Sequence, residues 1–210
     1  MTTIRIEDVS KEFRGQTVLD HISLELRGNR VIGFKGVNGS GKTMLMRIIC
    51  GLVFPTTGSV FINDKKLGTD MDFPENLGVL IENPAFLDGY SGYSNLKMLA
   101  SVKNVVGDEE IKNCIRRVGL DPEDKKKFKK YSLGMKQRLG IAGAIFEKPE
   151  ILVLDEPTNA LDSAGIEMLK HVVAEEKERG VLVILACHDK EILEELADEI
   201  YELENGIISG

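Results

Sequence analysis

The octet Gly36-Val37-Asn38-Gly39-Ser40-Gly41-Lys42-Thr43 satisfies the pattern G-x-x-x-x-G-K-[ST] without a mismatch. No other stretch limits the fold as strongly, because such a loop works only between a strand and a helix. Its glycines let the backbone curl until several N–H groups face one concavity, a nest for phosphate oxygens. Lys42 is a compact cation able to reach β- and γ-phosphates, and the Thr43 hydroxyl is suited to Mg²⁺. The N-terminus of the following helix adds a favourable dipole for negative charge. Val31-Ile32-Gly33-Phe34 before the loop is a short apolar run fit for a buried strand. Met44-Leu45-Met46-Arg47-Ile48-Ile49 after it suits a helix. That context separates a phosphate loop from a Gly-rich surface turn. The candidate phosphate set is therefore Gly36, Asn38, Gly39, Ser40, Gly41, Lys42, Thr43 and Met44.

The rest of the chain reads as α/β. Ile4, Ile6 and Val9, then Ile22, Leu24 and Leu26, alternate with polar residues as half-buried strands do, with turns at Gly15 and Gly28-Asn29. Val60-Phe61-Ile62 and Leu77-Gly78-Val79-Leu80-Ile81 read as further strands. Ile151-Leu152-Val153-Leu154 and residues 181–186 are continuous apolar runs, as in a parallel sheet covered on both faces. Residues 163–179 carry a helical pattern with Ile166, Leu169, Val172 and Val173 on one side. From 83 to 131 the character changes: Pro84, Gly89 and Gly92 interrupt, and helices are expected near 94–103 and 108–118. The expectation is one domain over 1–210, with a core of 1–82 and 132–210 and an inserted helical subdomain of 83–131. The lysine run of 125–130 is expected to be a solvated helix face.

A net charge of −7 argues against broad nucleic-acid binding. Cys50, Cys114 and Cys187 are an odd number without C-x-x-C spacing, which fits reduced thiols in a cytosolic protein. Met1-Thr2-Thr3 opens no long apolar segment, and the longest apolar runs fall short of the ~20 residues that span a bilayer. The chain is expected to be cytoplasmic and to meet a membrane only through a partner.

Leu152-Val153-Leu154-Asp155-Glu156 delivers two adjacent acids at the C-terminal end of an apolar strand, where α/β sheets place their ligands. Asp155 is suited to hold Mg²⁺, and Glu156 to polarise an attacking water as general base. Pro157 ends the strand. Upstream, Tyr131-Ser132-Leu133-Gly134-Met135-Lys136-Gln137-Arg138 resembles the signature motif of ATP-binding cassette (ABC) ATPases. The common form is Leu-Ser-Gly-Gly-Gln; Ser132 and Gly134 keep the Ser and second Gly, while Leu133 and Met135 replace a Gly and a Gln. Physically, Ser132 can cap a helix over 133–146, and a helix N-terminus with bare backbone at Gly134 can receive an anion.

The resemblance covers nearly the whole chain and implies a P-loop ATPase core with an N-terminal antiparallel β subdomain. It implies that Ser132 and Gly134 meet the γ-phosphate bound by another subunit, so that ATP and Mg²⁺ close a head-to-tail homodimer, or a pair with a second similar cassette. It places Phe13 on adenine, His188 on the γ-phosphate, and Asn159-Ala160-Leu161-Asp162 at the dimer contact. Glu82 falls where the family usually has a Gln that contacts Mg²⁺ and water, so a neutral amide is replaced by a charge. Glu82-Asn83-Pro84-Ala85-Phe86 and the variant signature are similar to exporters and immunity transporters of bacitracin, bacteriocins and other peptide antibiotics. The implied function is an ATPase subunit driving export through a separate membrane permease, with no nucleic acid involved. A chromosome-structural or repair cassette would need a long coiled coil between the two motifs, and a translation cassette a second cassette in the chain; neither is present. A small-molecule kinase would have no use for the signature. A regulatory dimerisation module with weak turnover stays open.

Overall fold

The computed structural model describes residues 1–209. Strands β1 (Thr3–Phe13) and β2 (Gln16–Arg27) form a hairpin. Its two-residue turn, Arg14-Gly15, has φ of 52° and 79°, the positive-φ pair that matches strand twist. β4 (Thr57–Ile62) pairs antiparallel with β1, and β5 (Lys65–Lys66) completes a four-stranded sheet. Ile4 and Ile6 of β1 are buried, as their alternation predicted, and Val9 joins them because the register shifts after Ile6, where Asp8 has φ 51°.

The second sheet has six strands: β3 (Arg30–Lys35), β6 (Leu77–Leu80), β7 (Ile151–Asp155), β8 (Leu182–Ala186), β9 (Glu199–Glu204) and β10 (Ile207–Ser209). Their order is β10-β9-β3-β8-β7-β6, parallel from β9 to β6, with β10 an antiparallel edge. Every residue of β7 and β8 is buried, because this sheet is covered on both faces. The two faces sort by parity. Ile151, Val153, Leu182 and Ile184 pack with α1 (Lys42–Ile49) and the four-stranded sheet. Leu152, Leu154, Val183 and Leu185 face the other way, into a cluster with the remaining helices. Those helices include α2 (Gly92–Lys103), α3 (Asp108–Arg117), α4 (Leu133–Ile145) and α5 (Ser163–Glu178). A last short helix, α6 (Lys190–Leu196), precedes β9.

The helices between 83 and 131 share one hydrophobic cluster with the core strands, through Leu96, Ile111, Ile115 and Phe128. A second tie is electrostatic. Glu176 on α5 is fully buried, and its carboxylate accepts from Arg117 of α3 at 2.9 Å and from Arg179. The lysine run corrects the expectation of a helix face: Lys125, Lys126 and Lys127 lie in a loop, and only Phe128–Lys130 makes a single 3₁₀ turn. Phe128 decides this. Its ring is buried edge-on to Phe86 at 5.3 Å and its N–H donates to the Tyr90 carbonyl, which leaves the lysines on the outside of a turn. Phe86 and Phe128 therefore settle the packing of the 84–93 segment, while Tyr90 is half exposed. The sequence reading assigned no element beyond His188; α6, β9 and β10 lie there. Their signals are short, and Glu202 and Glu204 face solvent on either side of buried Leu203. All three cysteines are buried free thiols. Among the described residues no helix is long and apolar enough to cross a membrane.

Candidate nucleotide site

The loop from β3 to α1 has positive φ at Gly36 (151°), Gly39 (81°) and Gly41 (110°). Two of these glycines are required by packing as well. A Cβ on Gly36 would lie 2.2 Å from the Leu203 carbonyl oxygen, and one on Gly41 would lie 2.8 Å from the Leu19 side chain. Gly41 begins α1 without a side-chain cap, and the first turn carries no acid, so the helix N-terminus faces the loop unneutralised. Lys42 is buried at its base, its ammonium donating to the carbonyls of Gly36 at 2.7 Å and Val37 at 3.2 Å.

β7 and β8 bring the acidic pair and His188 to the same place. Asp155 is buried; its Oδ2 accepts the Thr43 hydroxyl at 2.7 Å, and its Oδ1 has no hydrogen-bond partner among the described residues. Glu156 follows at φ 50°, a left-handed conformation that costs energy for a non-glycine and that turns its side chain out of the strand. Its backbone N–H donates to the Ala186 carbonyl at 2.9 Å, which locks the turn to β8. Glu156 Oε2 accepts the His188 backbone N–H at 3.1 Å, and Oε1 lies 3.1 Å from His188 Nε2 without the alignment of a hydrogen bond. Burial pushes the Glu156 carboxyl above the ordinary glutamate range, and Asp155 adds to this, while His188 and Lys42 oppose it.

Asn38, Gly39, Ser40, Gly41, Lys42, Thr43, Met44, Glu156 and His188 line one cleft of about 260 Å³, and Gly36 lies outside its lining. Val18 of β2 and Arg47 of α1 also line it. The sequence reading missed both. Arg47 had a signal, since four residues after Thr43 it lies on the same helix face. Gln137 was missed too: this buried side chain on α4 donates from Nε2 to the carbonyls of Glu156 (3.3 Å) and Pro157 (3.1 Å), holding the acidic turn from behind. Val18 and Gln137 carried no distinguishing pattern.

Other candidates lie elsewhere. Ser132 caps α4, its Oγ accepting the Met135 N–H at 3.2 Å, and Leu133 beside it is 72% exposed. Gly134 sits against the Ala160 carbonyl, 2.9 Å from where a Cβ would be. Asp162 caps α5 by accepting the Gly165 N–H at 2.8 Å and pairs with Arg138 at 3.1 Å. None of these three lines the cleft. Phe13 is exposed at the end of β1, also outside the cleft lining, with the Arg14 guanidinium 5.4 Å from its ring centre. Glu82 follows β6 at φ 60° and accepts from Arg47 at 2.6 Å. It lines a neighbouring groove of about 410 Å³ with Phe86, Leu99 and Gly140, and Arg47 lines both groove and cleft.

Thr43 Oγ1 and Asp155 Oδ1 are the hard oxygen donors a Mg²⁺ ion selects, and the buried, unpartnered Oδ1 fits such a ligand. Among the described residues there is no group of three or more His, Cys, Asp or Glu that could hold a metal by themselves. A cation here would complete its shell from phosphate and water.

The sequence model of a family described as "ABC transporter" matches residues 19–159. The uncharacterised ABC transporter ATP-binding protein YybJ of Bacillus subtilis (strain 168) is 44% identical over 203 residues, covering 97% of this chain and 93% of the relative. The bacitracin transport ATP-binding protein BcrA of Enterococcus faecalis is 36% identical, covering 97% of this chain and 67% of the relative. Among solved structures, the dimeric structure of MJ0796, a bacterial ABC transporter cassette, superposes with a TM-score of 0.89 at 23% identity, covering 99% of this chain and 97% of that chain; the likeness is one of fold.

Proposed function

Because this chain belongs to the ABC transporter family as an ATP-binding subunit and ATPase, we propose that the cleft between the phosphate loop and the ends of β7 and β8 binds Mg-ATP and that its hydrolysis drives peptide-antibiotic export through a separate membrane permease. The observation that supports this most is the convergence of Lys42, Thr43, Glu156 and His188 on one cleft, with buried Asp155 bonded to Thr43. The loop amides from Gly36 to Thr43 cradle the phosphates, and Phe13 stacks on adenine. Thr43 and Asp155 hold Mg²⁺, which supplies charge neutralisation along the phosphate chain. Lys42 turns from the carbonyls it now bonds to the β- and γ-phosphates.

Glu156 orients a water in line with the γ-phosphorus and accepts its proton as the oxygen attacks and the bond to ADP breaks. Its raised pKa makes it a better proton acceptor than a solvated carboxylate. His188 holds the γ-phosphate, and Gln137 fixes the turn that carries Glu156. Ser132 and Gly134, lying outside their own cleft, serve the cleft of a second copy in a head-to-tail dimer, with Asp162 in the contact loop. Transport of a peptide antibiotic follows the names of relatives such as the bacitracin transport ATP-binding protein BcrA, and its direction follows the resemblance of the variant signature to exporters.

We assign 83–131 to a helical subdomain that moves on the core formed by 1–82 and 132–210. The groove at Glu82 is the place where a permease would dock, and its shared wall, Arg47, links docking to the nucleotide. Glu82 is paired with Arg47 rather than free to ligate, so it bears on the nucleotide only through Arg47, which lines the cleft.

The test is capture of partners by tagged Glu156→Gln protein from detergent-solubilised native membranes in Mg-ATP, read by mass spectrometry. A stoichiometric multi-span membrane protein is expected. Recovery of soluble partners or ribosomes alone would overturn the transport reading and leave the ATPase chemistry intact.

A further inference from the structure

The turn between β9 and β10, Asn205-Gly206, reaches back to the phosphate loop. Both residues have positive φ, 51° and 81°. The Gly206 N–H donates to the Ser40 carbonyl at 3.0 Å, and the Gly206 carbonyl accepts the Asp20 N–H at 2.8 Å. One residue thus joins the phosphate loop to β2 by two backbone bonds. The contact admits no side chain: a Cβ on Gly206 would lie 2.6 Å from the Val18 carbonyl oxygen. Val18 lines the cleft, as does Ser40. Leu203 of β9 adds a second point of contact, its carbonyl oxygen filling the space a Gly36 Cβ would need.

We propose that Gly206 is a positioning residue for the nucleotide. This rests on the reading of the cleft as the ATP site. The C=O of Ser40 and the N–H of Gly41 belong to one planar trans peptide and point in opposite directions. Drawing the Ser40 carbonyl towards Gly206 therefore turns the Gly41 N–H away from the hairpin, to the side where phosphate is held. The same residue sets the distance between the phosphate loop and the Val18 wall. The C-terminal hairpin pre-orders the loop, so nucleotide binding and hairpin order are coupled, each strengthening the other by the same factor.

Hydrogen exchange on the full wild-type chain tests this, with and without a non-hydrolysable ATP analogue and Mg²⁺. The expected result is at least tenfold slower exchange at the Asp20 and Gly206 amides, alongside protection of the 39–43 amides. Protection of the loop with Asp20 and Gly206 unchanged overturns the coupling and leaves the site reading standing. An unprotected loop overturns the site reading, and the proposal falls with it. A kinetic test separates positioning from stability. Gly206→Ala is compared with Gly180→Ala, which has φ 88° but open space around its Cβ and so carries the backbone cost alone. KM for Mg-ATP should rise about tenfold in Gly206→Ala with kcat within twofold, and stay unchanged in Gly180→Ala. Equal KM values in the two variants overturn the proposal.

Discussion

Both carboxylate oxygens of Glu156 are turned to His188: Oε2 accepts its backbone N–H at 3.1 Å, and Oε1 stands 3.1 Å from its ring Nε2. The backbone bond ties the acid to the segment after β8, and the ring sits where it can share a ligand with the acid. Glu156→Gln keeps the shape and loses the base. Hydrolysis should fall by about 10²–10⁴-fold while ATP binding persists, so the variant should accumulate as a dimer in saturating Mg-ATP. Light scattering that returns a monomer would sink the dimer scheme.

The raised pKa of Glu156 gives a pH dependence. Activity needs the carboxylate, so the acid limb of single-turnover hydrolysis should lie above the ordinary glutamate range. Stability runs the other way. A carboxyl raised on folding contributes stability that is fully present below its unfolded pKa and is lost as pH rises through its folded value. Glu156→Gln should therefore flatten the dependence of stability on pH in that window, which denaturation at a series of pH values would measure.

Lys42 is already desolvated and held by two carbonyls. Lys42→Ala removes a charged donor from the phosphates and should weaken nucleotide binding by about 10–100-fold. A fluorescent ATP analogue bound with unchanged affinity would remove Lys42 from its role.

Arg47 neutralises Glu82 beside the cleft. The pair is partly exposed, so the effect is modest: Arg47→Ala should raise KM for Mg-ATP by about two- to fivefold. Glu82→Gln in that background should restore it, because the uncompensated charge is gone. A double-mutant cycle with no coupling would show that the pair has no bearing on the nucleotide.

Gln137 is buried with its amide on two carbonyls of the acidic turn. Gln137→Ala leaves those carbonyls without this donor and should cost about 1–3 kcal/mol in urea denaturation. It should also lower kcat more than it raises KM, since the turn carries the base rather than the phosphate cradle. A pure KM effect would contradict that placement.

The octet at 36–43, the apolar runs of β7 and β8, and the Asp155-Glu156 pair were legible because their chemistry is local. Glycine, lysine and threonine spacing specifies a phosphate loop, and a continuous apolar run specifies a strand buried on two faces. Ser132 as a helix cap was legible for the same reason. The lysine turn at 125–130 was misread because burial of Phe128 against Phe86, a contact between distant segments, decides its shape. Gln137 behind Glu156, the Arg47–Glu82 pair, Glu176 buried beside Arg117, and Gly206 under Ser40 all join residues far apart in the chain. A buried polar group is tolerated only where a partner meets it, and that partner is set by packing, not by spacing along the chain. The sequence by itself therefore determined the chemistry this chain carries and the class of fold that presents it. Only the tertiary structure decided which distant groups hold those chemical residues in place, because hydrogen bonds and ion pairs depend on distances in space.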